Sequence, residues 1–128
     1  MNKPFLYFLL LVSLVFNGCK GNDNDTTTPV ISLSEPTDNQ VYTSGNVIRI
    51  TGSLADNHLH EMKISITNTA GGAELFSRSV SVHGQTSYTI NETYTPSVTT
   101  VVNATLKVEA KDLAENYAVK TIPIKINP

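Results

Sequence analysis

From Pro29 onward, apolar residues recur at every second position, in short runs separated by turn residues. Ile31 and Leu33 alternate with serines before Pro36-Thr37-Asp38-Asn39 ends the run. Ile48, Ile50 and Leu54 come next, then Met62, Ile64 and Ile66, then Phe76, Val80 and Val82. Tyr88, Ile90 and Tyr94 follow, and Val102, Ala104, Leu106, Val108 and Ala110 make the longest alternation before Ile122, Ile124 and Ile126 close the chain. Period two puts one side of each run in a core and the other in solvent, and no stretch sustains the 3.6-residue period of a helix.

Seven such runs within about 100 residues predict a single antiparallel β-sandwich of about seven strands, one apolar face on each. Pro123 has no N–H to give to a ladder, so its part of the last run belongs at a sheet edge or bulge. There is no Trp, and the one cysteine, Cys19, precedes the runs. No disulfide staples the domain, so an aliphatic and tyrosine core must hold it, which about 100 residues can supply. The expected class is all-β and immunoglobulin-like or fibronectin-III-like in the broad sense.

The first nineteen residues obey a different logic. Met1-Asn2-Lys3 brings positive charge, Phe5 to Phe16 is a run of twelve largely apolar residues, and Asn17-Gly18-Cys19 follows. Twelve is short of the roughly 20 residues that cross a bilayer and suits the apolar region of a secretory signal. With the cysteine placed directly after Gly18, the segment resembles a bacterial lipoprotein signal, although Phe16 and Asn17 stand where Leu and a small residue are usual. That resemblance implies removal of residues 1–18, acylation of Cys19 by palmitate-type lipid and residence in the cell envelope. Residues 19–28 then form a polar tether and 29–128 the domain. Lys20, Asp23 and Asp25 are similar to the signal that sends some lipoproteins to the exposed face of the outer membrane. Asp25-Thr26-Thr27 resembles a short O-glycosylation motif with Thr26 as acceptor.

The domain carries a resemblance of its own. Thr28-Pro29-Val30-Ile31-Ser32-Leu33, Leu54-Ala55-Asp56-Asn57, and Val108 through Asp112 to Ala118 look like the signatures of bacterial Ig-like modules. The chain is similar to small single-domain lipoproteins grouped as a family of unknown function. This implies a fold and very little about activity, because sandwiches host many unrelated functions. Glu115 stands where such modules have Gly. The expectation is a shifted turn in which Asn116 takes the left-handed conformation.

Several function classes are disfavoured. Without Lys3 the nine basic residues become eight, scattered singly against eleven acidic ones, so nucleic acid is an improbable partner. There is no Gly-X-Ser-X-Gly turn, and Asp56 and Asp112 are the only candidate carboxylate pair, so a non-enzymatic binding or structural module is expected. Its ligand is a protein or a glycan.

Sandwich topology gathers Asp25, Asp56, Asp112 and Asn116 at one end, and oxygen ligands of this kind suit Ca²⁺. The arrangement is similar to calcium sites between cadherin repeats, which makes a calcium-dependent adhesion module the alternative. Turn chemistry equally explains Asp and Asn at these positions. The spacing of His58 and His60 lets them face one side of a strand, as a zinc site needs, but only His83 remains as a further ligand, so solvent-exposed loop histidines are the expectation. A carbohydrate-binding module is the third reading, with Tyr42 and Tyr117 expected at the surface and Tyr88 and Tyr94 packed inside. The stretches Asp38–Ser44 and Thr95–Thr100 are expected at the far end from the tether, as candidate protein contacts.

Overall fold

The structure, a computed structural model, describes residues 25–128. The leader, Cys19, Lys20 and Asp23 lie outside the described residues. Eight strands follow in order: β1 (Val30–Glu35), β2 (Gln40–Thr43), β3 (Ile48–Ala55), β4 (Leu59–Asn68), β5 (Glu74–Ser81), β6 (Ser87–Tyr94), β7 (Val102–Asp112) and β8 (Tyr117–Asn127). They form a three-stranded sheet, β1-β3-β6, and a five-stranded sheet, β2-β8-β7-β4-β5.

Alternation carries the packing. Ile48, Ile50 and Leu54 of β3 face Met62, Ile64 and Ile66 of β4, Ala104 to Ala110 of β7 and Ile122 to Ile126 of β8 in one buried cluster. Most of these side chains are fully enclosed. Burying each contributes about 1.5–3 kcal/mol, and truncating one such as Ile64 to Ala costs about 2–5 kcal/mol. Tyr88 and Tyr94 pack against this core, and Phe76 meets Tyr94 with ring centroids 5.3 Å apart.

Two features differ from the sequence expectation. There are eight strands because β2, only Gln-Val-Tyr-Thr, is too short to display a period. Not every pairing is antiparallel, since β2 runs parallel to β8, with Gln40 beside Ile124 and Thr43 beside Asn127. The chain leaves the first sheet after Glu35, turns through a cis Glu35–Pro36 bond, and joins the second sheet. Tyr42 is consequently half-buried against the core, whereas the sequence placed it at the surface.

Pro123 lies opposite Thr105 of β7, and its carbonyl accepts from the Asn39 N–H at 2.8 Å. Its nitrogen therefore faces the side where β2 has not yet begun, and the missing N–H breaks no ladder bond. Gly52 sits where β1 passes closest to β3. A Cβ there would collide with the Ser32 carbonyl oxygen and lie 2.9 Å from the Leu33 Cα.

Candidate functional site

Strands β3 and β7 both finish at the end of the sandwich where β1 begins, which brings three turns together. Asp56 follows β3, Asp112 ends β7 and Asp25 precedes β1. One carboxylate oxygen from each lies within 4.8 Å of the others. Asp112 is fully buried, while Asp25 and Asp56 are half-buried.

Each carboxylate also organises its own turn. Asp25 Oδ1 accepts from Thr27 N at 2.9 Å, and Asp56 Oδ1 from His58 N at 2.8 Å. Asp112 Oδ1 accepts from Asn116 N at 2.8 Å, and its Oδ2 accepts from Asn116 Nδ2 at 2.7 Å. Asn116 Nδ2 also donates to the Asp25 carbonyl oxygen at 2.9 Å. Asn116 thus clasps the segment before β1 to the β7–β8 turn. The left-handed residue of that turn is Glu115, at φ +70°, not Asn116 as the sequence suggested. Asn116 is committed to Asp112 and Asp25, so the residue before it takes the strained conformation.

The donor set here is all oxygen, the kind a hard cation such as Ca²⁺ prefers, though Ca²⁺ wants six to eight ligands. Four of the six carboxylate oxygens already accept hydrogen bonds from within the cluster. Beside the cluster, His58 Nδ1 stands 3.9 Å from Asp25 Oδ2. The other two histidines pair with each other: His60 Nδ1 and His83 Nδ1 are 3.0 Å apart, with the rings edge to face. His58 and His60 therefore diverge, and the three imidazoles do not converge on one point.

A second feature lies on the outer face of the five-stranded sheet. Register sets Ser81, Glu61, Lys111 and Tyr117 in one row across β5, β4, β7 and β8, with Ser79, Lys63, Glu109 and Val119 in the next. All of these but Val119 line an open cleft of about 380 Å³, together with His60. Its floor is the main chain around Met62, Val80 and Ala110.

Tyr117 is 51% exposed, and its hydroxyl donates a hydrogen bond to Glu109 Oε1. Lys107 Nζ reaches the same oxygen at 3.0 Å. Burial opposes ionisation of Glu109, but the bonds from Tyr117 and Lys107 and the nearby lysine charges outweigh it and hold its carboxyl below the ordinary value. The reciprocal bond to Glu109, helped by burial and the carboxylate charge, pushes the Tyr117 phenol up to about 12.

No known protein family matches the sequence, and no curated protein matches it. Among solved structures, an engineered protein crystallised at 1.98 Å is similar, with TM-score 0.55 and 13% identity over 79% of this chain. The match covers 20% of that protein, so this chain spans about a fifth of its length. The fibronectin(III)-like modules of Clostridium thermocellum CbhA match with TM-score 0.48 and 14% identity, over 76% of this chain and 94% of theirs. Three strands face five across one aliphatic core, and the first strand is divided between the sheets. This is an immunoglobulin-like, fibronectin-III-like β-sandwich.

Placed on the sandwich, the remaining candidates separate clearly. Thr26 is exposed beside the clasped Asp25. Of the two tyrosines proposed as a surface platform, Tyr117 alone is strongly exposed. The stretch after β2 meets the β6–β7 loop at the pole opposite the aspartates, through Gly45 N to Pro96 O at 2.8 Å and Val98 N to Ser44 Oγ at 2.9 Å. The cleft around Tyr117 was missed by sequence reasoning. Alternation marks Lys63, Glu109 and Lys111 as outward-facing, but only strand register makes them neighbours.

Proposed function

We propose that this chain is a non-enzymatic lipoprotein of the cell envelope whose sandwich serves as a binding or structural module. The leader, residues 1–18, is removed, and Cys19 carries the lipid that holds the domain at a membrane, the outer membrane in this reading. The observation that carries the module reading is the fold. Its interior is filled by aliphatic side chains, so its chemistry is confined to the outer face, the turns and the loops.

The anchor is tested by feeding an alkyne-palmitate to Gram-negative cells expressing the full chain. Label and protein are expected together in the membrane fraction, with both lost on Cys19→Ser. Unlabelled wild-type protein released to the soluble fraction overturns it.

A second reading, a calcium-dependent module of the cadherin kind, is favoured by the convergence of Asp25, Asp56 and Asp112. Asp112 belongs to that set while fully buried, and burying charge is costly unless it is compensated. Two bonds from Asn116 supply part of that compensation, and a cation would supply the rest. A thermal melt in EDTA and in calcium decides between the readings.

A further inference from the structure

We infer that the cleft on the outer face of the five-stranded sheet binds a neutral carbohydrate, with the Tyr117 ring as the stacking surface. This rests on the binding-module reading above and assigns it a site and a ligand class. The cleft volume, about 380 Å³, lies near the lower end of the ~300–1,000 Å³ typical of small-molecule sites, which is the scale of one or two sugar rings.

Charge selects the ligand class. Lys63 and Lys111 are balanced by Glu61 and Glu109 along the lining, so the cleft offers no net attraction to a polyanion or a polycation. What it offers is a mostly apolar surface edged by a few donors and acceptors. Carboxylates accept from adjacent hydroxyls, ammonium groups donate to ring and hydroxyl oxygens, and the Ser79 hydroxyl does both. A sugar presents that same mixture on its edges and weakly polarised C–H groups on its face. The negative face of an aromatic ring complements those C–H groups.

Preorganisation points the same way. The half-exposed Tyr117 ring is held by its hydroxyl on Glu109, which is itself held by Lys107. A ring already fixed loses little freedom on binding, and that freedom is a large part of what association costs. Both bonds fall on Glu109 Oε1.

The test is an NMR titration of the ¹⁵N-labelled chain from residue 20, which keeps both sheets and the whole core. Cellobiose, maltose and diacetylchitobiose are the probes, with glycylglycine as a zwitterionic comparison. The expected result is saturable amide shifts at Lys63, Ser79, Glu109, Lys111 and Tyr117 with at least one sugar. Tyr117→Ala should weaken them at least tenfold without changing the melting temperature by more than a few degrees. Tyr117→Phe keeps the ring and should retain most of the affinity. No shifts in the cleft with any sugar, shifts unchanged by Tyr117→Ala, or shifts with the dipeptide alone would overturn the assignment. Sugar-induced shifts confined to another surface would remove this cleft yet leave the module a binding protein.

Discussion

Asn116 Nδ2 reaches the main-chain oxygen of Asp25, 2.9 Å away and 91 residues distant in sequence. The same amide group donates to the buried Asp112 carboxylate. One side chain thus joins the β7–β8 turn to the segment that enters β1, and it supplies a donor to a buried carboxylate oxygen.

Removing that amide should be costly. Asn116→Ala deletes both side-chain bonds and leaves a buried carboxylate oxygen short of a donor. The expected loss is about 1.5–3 kcal/mol, the range for hydrogen bonds to charged groups. Urea unfolding measures it, and amide exchange at Thr27 should accelerate in the same variant.

Glu115 is the opposite case. At φ +70° a side chain costs roughly 1–2 kcal/mol, and the solvent-screened pairing with Lys111 offsets little of it. Glu115→Gly removes the strain but loosens the unfolded chain by about 0.4–1 kcal/mol. A net gain of about 0.5–1 kcal/mol is expected, seen as a melting temperature a few degrees higher.

Gly52→Ala should do the reverse. Its new methyl group meets the main chain of β1 at Ser32 and Leu33, and backbone yields less readily than a flexible side chain. The cost is expected at about 1–3 kcal/mol, with a lower urea midpoint and faster exchange along β1.

The calcium reading makes a quantitative demand. An ion bound only by the folded state at a hundredfold excess over its dissociation constant adds about 2.7 kcal/mol. The melt should then rise in millimolar Ca²⁺ relative to EDTA, and Asp56→Asn should abolish the rise. Identical melts in both leave Asp25, Asp56 and Asp112 as turn-forming residues.

The Tyr117–Glu109 pair sets two pH dependences. Tyr117 is raised, so its contribution is complete below the unfolded value of 10.0 and is lost as pH climbs from there toward about 12. Glu109 is lowered, so its contribution is present above the unfolded carboxylate value and is lost as pH falls through the folded one. In a titration at 295 nm, Tyr117→Phe should remove a tyrosine that ionises late. It should also flatten the loss of stability between pH 10 and 12.

Much of the sandwich could be read from the chain because burial on one face writes itself into every second residue. Ile48, Ile50 and Leu54, or Ile122, Ile124 and Ile126, carry that signature whatever they pair with. The meeting of Asp25, Asp56 and Asp112 could be anticipated because Asp56 and Asp112 stand at strand ends and Asp25 on the segment that leads into β1, and topology alone decides which ends lie together. Strand β2 was not legible: four residues on a sheet edge show no period, and parallel pairing with β8 has no local mark. The cleft was hidden for a related reason. Lys63, Glu109 and Tyr117 are neighbours only through register, and a slip of one residue would move each to the other face. The left-handed Glu115 likewise depended on a contact with a distant residue, made by Asn116.

The parallel pairing of β2 with β8 has a mechanical consequence. The described chain starts at the aspartate pole and its last strand ends at the opposite one, where Ile126 lies beside Val102. Tension between those two ends loads the β1–β3 ladder, which the chain enters first, and beyond it pulls β2 and β8 along their own axes in opposite senses. The bonds between them, and those of the β7–β8 ladder, then share the load together. A domain hung by one pole and gripped at the other would hold as a lap joint holds, failing by the slip of whole strands and not by unzipping one rung at a time.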